Sequence, residues 1–125
     1  EKKLLLTDLS GRLPYFTKVQ IKNEIVVLDS ICDDDGYHFN FIGDDREGVN
    51  IENIKPYLFP LSSMTEEQKK ELFNLAEESA FQIIHSEDGN PQPQIPMDWY
   101  NKNHFDYRGL IPMGLANDAT GLNIY

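Results

Sequence analysis

Four residues within five positions carry most of the acid–base chemistry of this 125-residue chain: His104, Asp106, Tyr107 and Arg108. An imidazole near a carboxylate can act as a general base, and a guanidinium can hold an anionic group. His104, Tyr107 and Arg108 are therefore weak catalytic candidates for a small hydrolase or a ligand-binding protein. Neighbouring positions of a helix point apart, which argues against one shared site. A structural role is favoured, with Arg108 paired to Asp106 or to an acid on the sheet.

The stretch around these residues, 99–115, is the most aromatic part of the chain and includes its single Trp. We interpret Trp99, Phe105 and Tyr107 as a structural clasp whose rings are buried between the predicted sheet and the predicted long helix. Asp106 is a candidate N-cap, so the predicted layout is two short helical turns joined at Phe105. On this interpretation, replacing His104 by Ala lowers stability.

Five acids lie in two turns that could meet at one end of a sheet, and oxygen ligands of this kind suit hard cations. They are weak metal candidates: Asp33, Asp34, Asp35, Asp44 and Asp45. Their spacing does not follow the alternating ligands of a calcium-binding EF-hand loop, so solvated turn residues are the favoured interpretation. No Gly-rich phosphate loop or zinc-ligand spacing is present, and no metal or cofactor is predicted.

Charge limits the classes of partner. The chain has 11 Lys and Arg against 21 Asp and Glu, a net charge of −10. Such a chain repels phosphate backbones, which argues against direct nucleic-acid binding. A nucleic-acid-mimicking inhibitor is an alternative, but it requires carboxylates spaced along one surface. One cysteine and no apolar run long enough to span a bilayer favour a cytoplasmic protein without a membrane association.

Alternating and β-branched residues between about 15 and 60 predict an antiparallel sheet of four to five strands. The predicted architecture is α+β, a meander or small open barrel. Residues 7–13 predict one turn of helix or a looped lead-in. Residues 33–36, Asp-Asp-Asp-Gly, fit a hairpin turn, because Asp and Gly tolerate positive φ. Pro56 and Pro60 restrict the last strand to an edge of the sheet.

A capping box at Thr65 and Gln68 begins a helix that the apolar periodicity extends from Glu66 to about Ile84. Its apolar stripe is expected to pack across one face of the sheet. Residues 86–96 are polar and predict a mobile loop. Residues 97–125 then form the clasp and a tail, and residues 1–125 make a single domain.

An open edge strand with apolar side chains can pair with another chain, so Tyr57 and Phe59 are predicted interaction residues. The partner would be an unidentified protein or a second copy of the chain in a homodimer. The alternative is that the C-terminal tail of the chain itself covers this edge. A non-enzymatic interaction protein is therefore the leading functional hypothesis, and the small enzyme is its alternative.

Two runs carry a family resemblance. Residues 54–65, IKPYLFPLSSMT, and residues 99–116, WYNKNHFDYRGLIPMGLA, resemble signatures of a family of small proteins from gut anaerobic bacteria, their prophages and their mobile elements. The two runs cover about a quarter of the chain. The resemblance implies a mobile-element origin, and it brings no known activity or functional residues.

Overall fold

The computed structural model describes residues 1–33, 35–84 and 97–125, and of residues 76–84 it describes the backbone alone. The chain is α+β, and the described residues form a mixed sheet of six strands and three α-helices. In chain order these are α1 (Lys2–Gly11), β1 (Lys18–Ile21), β2 (Glu24–Asp33), β3 (Tyr37–Phe41), β4 (Ile54–Pro60), α2 (Glu66–Ile84), α3 (Met97–Lys102), β5 (Phe105–Asp106) and β6 (Asn117–Asp118). No described helix is both long and apolar enough to cross a membrane.

The first three strands form the predicted antiparallel hairpins, with β1 and β3 on either side of β2. Asp35 and Gly36 turn the second hairpin at φ values of 51° and 114°, the left-handed region that Asp and Gly tolerate. β4 returns antiparallel to β1, so that Ile21 lies opposite Ile54. β5 and β6 then add to β4 in the parallel direction. The four strands between residues 15 and 60 are antiparallel, as predicted, but they do not form a meander, because β4 pairs with β1 and not with β3. The two parallel strands come from the C-terminal segment, which the prediction left outside the sheet.

The helix over the core is α1, ten residues long where the sequence predicts a single turn or a loop. Leu5 and Leu9 are one helical turn apart, and both are buried in the hydrophobic core. The core residues that they join come mainly from the inner face of the sheet, among them Val19, Ile21, Leu28, Phe39, Phe41, Ile54 and Leu58. Contact with this apolar surface stabilises a helix whose own sequence signal is weak.

α2 begins and ends at the predicted residues, and its capping box is confirmed. The Thr65 amide donates to Gln68 Oε1 at 2.9 Å, and the Gln68 amide donates to Thr65 Oγ1 at 3.1 Å. No side chain between Glu66 and Leu75 is buried, and Phe73 is 64 % exposed. Packing of α2 across the sheet is not confirmed for these turns. The predicted mobile loop, 86–96, lies outside the described residues.

Candidate functional site

Three charged side chains join α1 to the C-terminal segment. Asp8 and Arg12, one helical turn apart, are fully buried, and two hydrogen bonds of 2.8 and 3.1 Å hold the guanidinium on the carboxylate. Arg108 Nε donates to the same carboxylate at 3.2 Å. Arg12 also donates to the Phe105 carbonyl at 2.6 Å. The acid that pairs with Arg108 is thus on α1, so the predicted pairing with Asp106 or with an acid on the sheet is wrong. The cluster links elements about a hundred residues apart in sequence.

Tyr107 lies between stacked and cationic groups. Its ring stacks on Tyr100 with 5.4 Å between centroids. The guanidinium carbon of Arg108 lies 4.8 Å from the Tyr107 centroid, and that of Arg12 lies 5.4 Å from it. Arg108 Nη2 donates to the Tyr107 hydroxyl at 2.8 Å. Two of the three catalytic candidates, Tyr107 and Arg108, therefore contact each other and other side chains of the chain.

His104 is half-buried in a left-handed backbone conformation with φ of 61°. Its imidazole stacks on Tyr125 at 3.7 Å between centroids, and its carbonyl accepts the Phe59 amide at 2.8 Å. Burial, followed by the positive charges of Arg12 and Lys18, lowers the pKa of His104 to about 4. Nδ1 is buried without a hydrogen-bond partner among the described residues, so nothing there compensates a proton. An imidazole with this pKa is a weak general base at pH 7.

Two of the three predicted clasp rings, Trp99 and Phe105, are buried, and the third, Tyr107, is half-buried. Trp99 stacks on Phe105 at 5.5 Å between centroids, and both rings are buried. Phe105 in turn lies 6.2 Å from Phe59 of β4. Together with the bond from Arg12 to the Phe105 carbonyl, these contacts hold the described clasp residues against β4 of the sheet, as predicted, and against α1, a helix that the prediction did not name.

The predicted edge strand, β4, has partners along its whole length. β1 pairs with its first half, and β5 and β6 pair with its second half. The Leu58 carbonyl accepts the Ala119 amide at 2.8 Å, and the Tyr57 carbonyl accepts the Tyr125 hydroxyl at 2.9 Å. Tyr57 is 8 % exposed and Phe59 is half-buried under Tyr125. The prediction of an open edge at β4 is wrong, and the alternative, an edge covered by the C-terminal segment, is confirmed.

The outer strand of the described sheet is β3. It pairs with β2, and no other strand of the described chain adds to it. The Ile42 amide donates to the Val27 carbonyl at 2.9 Å and so points towards β2. The main-chain groups of successive residues of a strand point alternately to its two sides, so those of the residues before Ile42 alternate between facing β2 and facing away from it. The register slip between Leu28 and Ser30 lies on β2 and leaves this alternation intact. The amides and carbonyls of Tyr37 and Phe39 therefore point away from β2.

A groove of about 550 Å³ accompanies β3. One wall is the strand itself, including Tyr37 and Phe39, and the other is the segment from Arg46 to Asn50. Gly48 turns this second wall with φ of 68°. Two further described cavities, of about 550 and 210 Å³, lie near Arg46 and near Leu5. None of the three is lined by His104, Tyr107 or Arg108.

The acidic turns do not gather into a metal site among the described residues, where no group of three or more candidate ligands is placed to hold an ion. Arg46 donates to Asp44 at 2.9 Å and also contacts Glu24, and its hydrogen bond lowers the pKa of Asp44. Asp33, Asp35 and Asp45 are exposed, and Asp34 lies outside the described residues. Of the five metal candidates, Asp44 is therefore held by a cation of the chain itself.

Two residues of the buried cluster, Asp8 and Arg12, were missed by sequence reasoning. Their spacing of four on a helix favours an ion pair. On an exposed helix such a pair is commonplace, so the spacing alone does not indicate burial. The missing information was that α1 extends through Gly11 and lies against the sheet.

Comparison with known proteins gives no relative: no protein-family model, no curated protein and no solved structure matches the chain.

Proposed function

We propose that this chain is a non-enzymatic protein-interaction module that binds its partner by strand addition at the outer edge of β3. The observation that carries the proposal is the orientation of Tyr37 and Phe39, whose main-chain groups point away from β2 beside a groove of about 550 Å³. An open strand offers its donors and acceptors to an extended segment of another protein. Tyr37, 54 % exposed, adds an aromatic side chain to this edge.

The alternative, an enzyme that uses His104, Tyr107 and Arg108, is less well supported by the contacts. Arg108 is bound to Asp8, Tyr107 is stacked on Tyr100, and His104 lies under Tyr125. An active site requires side chains that converge on a cavity. The mobile-element origin is part of the proposal, and the resemblance of residues 54–65 and 99–116 is its support.

Two variants at one position test the contact strand. Tyr37→Pro removes a main-chain donor that points away from β2, so the hydrogen bonds between β2 and β3 are kept. Tyr37→Val removes the ring and keeps the donor. Partners that co-purify with the wild-type chain are expected to be lost with Tyr37→Pro and retained, at reduced yield, with Tyr37→Val.

Both variants need a native β-sheet signal by circular dichroism and an unfolding midpoint close to that of the wild type. Equal recovery of every partner by wild type and Tyr37→Pro would overturn the proposal. If substitution of Phe59 abolished binding and the substitutions of Tyr37 did not, the contact strand would be β4 and not β3.

A further inference from the structure

The charges around β3 point to the chemistry of the segment that the edge receives. Asp33 and Asp35 are exposed at the start of the strand, and Asp45 and Glu47 are exposed beyond its end. None of the four is in an ion pair with a described residue. The edge therefore has free negative charge at both ends.

The cation nearest to the groove does not offset this charge. Arg46 lines the groove, but its guanidinium is bound to Asp44 and Glu24. The charge of Arg46 is thus neutralised by acids of the chain itself, and the four unpaired acids at the ends of β3 can attract a cationic partner. Like charges placed together across an interface are unfavourable, whereas opposite charges favour association and orient it.

A second copy of the chain fits this edge poorly. Antiparallel pairing of two β3 strands sets Asp33 and Asp35 of one copy beside Asp45 and Glu47 of the other. Parallel pairing sets each acidic end beside its own counterpart. Both arrangements oppose acid to acid in a chain whose net charge is already −10.

We propose that the β3 edge binds an extended basic segment of another protein, one in which Lys or Arg alternates with β-branched residues. Side chains of an added strand alternate between its two faces. Apolar side chains would meet Phe39 and Val49 in the groove, and cationic side chains would meet the acids at its two ends. This inference rests on the proposed function, since it names the class of segment that the open strand receives.

Fluorescence anisotropy with a labelled peptide of four Lys-Val repeats tests the inference on the full chain. A Glu-Val peptide of the same length is expected to bind at least about ten-fold more weakly. The Lys-Val peptide with alternate amides methylated on one edge retains its charge but cannot complete a strand, and it should also lose about ten-fold or more.

Charge variants locate the attraction. Asp33→Asn with Asp35→Asn should weaken binding of the Lys-Val peptide about five-fold. Asparagine tolerates the φ of 51° at position 35, so the turn is kept. Glu67→Gln with Glu71→Gln removes two exposed charges from α2 and should change binding less than about two-fold.

Equal losses from both charge pairs would overturn the inference, because the attraction would then come from net charge alone. Undiminished binding of the methylated peptide would also overturn it, since no strand would be formed. A wild-type dimer that Tyr37→Pro dissociates would assign the edge to a second copy. If Tyr37→Pro loses natural partners while the peptides do not discriminate, the proposed function stands and this inference alone fails.

Discussion

β4 and β3 are both rich in aromatic residues, but one is covered by other parts of the chain and the other lies at the outer edge of the described sheet. β4 is covered by β5, β6 and Tyr125, so that Tyr57 and its carbonyl are taken up inside the chain. β3 pairs with β2 along one side, and no described strand pairs with its other side, where Tyr37 is half-exposed beside a groove. The proline-containing strand is thus interior, and the strand without proline is the edge. A strand is made an edge by what the rest of the chain covers.

The largest expected effect is on the covered side, where Asp8 holds Arg12 and Arg108. Asp8→Ala leaves a buried guanidinium without its carboxylate, which is expected to reduce the free energy of unfolding by roughly 3–5 kcal/mol. Urea unfolding measures the change. The matched control is Glu66→Ala, which breaks the exposed pair with Lys69 on α2 and is expected to change stability by less than about 1 kcal/mol. Similar effects from the two variants would mean that the junction does not hold α1 to the C-terminal segment.

The second prediction compares one residue type on the two strands. Tyr57→Ala removes a ring that is 8 % exposed and is expected to destabilise by about 3 kcal/mol, whereas Tyr37→Ala removes one that is 54 % exposed and should change stability by less than about 1 kcal/mol. Binding should respond in reverse, with partner affinity lowered by Tyr37→Ala alone. Equilibrium unfolding and co-purification measure the two effects. A larger stability loss at position 37 would reverse the assignment of interior strand and edge.

Local signals in the sequence predicted the elements whose partners are close in the chain. The capping box of Thr65 and Gln68 satisfies its own amides, so the start of α2 is encoded in four residues. The hairpin of β2 and β3 likewise follows from alternation and from Asp35 and Gly36 at its turn. In both cases the stabilising contact lies within the segment that displays the pattern.

Long-range contacts explain what the sequence did not reveal. β5 and β6 are two residues each, too short to give a periodic pattern, and their parallel pairing with β4 depends on Phe105 and Asn117 arriving there from the C-terminal segment. The Asp8–Arg12 spacing was visible, but its burial depends on the same segment. Sequence reasoning therefore found the aromatic clasp and its contact with the sheet, but not its contact with α1.

The third prediction uses pH to probe the His104–Tyr125 contact on the covered side. The pKa of His104 is about 4 in the folded chain, against an ordinary value of 6.5. Between these two pKa values the unfolded chain binds a proton at His104 more readily than the folded chain does. The contribution of neutral His104 to the free energy of unfolding is therefore complete above about pH 6.5 and is lost as the pH falls towards 4. Between pH 7 and pH 5, protonation of His104 is expected to lower the free energy of unfolding by about 2 kcal/mol.

His104→Asn is the matched variant, since asparagine tolerates the φ of 61° but does not titrate. Urea unfolding at pH 7 and pH 5 should show a larger fall for the wild type than for this variant. The same fall in both proteins would place the titrating group elsewhere.

The smallest expected effect compares two aspartates. On the covered side, the Asp118 carboxylate accepts the Thr120 amide at 2.8 Å and so supports the turn that follows β6. Asp118→Ala should lower stability by about 1 kcal/mol, a shift of roughly 4 °C in the melting temperature of a domain of this size.

At the β3 edge, Asp33 is exposed and forms no ion pair with a described residue. Asp33→Ala should leave the melting temperature unchanged or raise it slightly, because it removes repulsion in an acidic chain. Differential scanning calorimetry at low ionic strength measures both. A lower melting temperature for Asp33→Ala would mean that this carboxylate stabilises the β2–β3 turn, and its charge would then not be free for a basic partner.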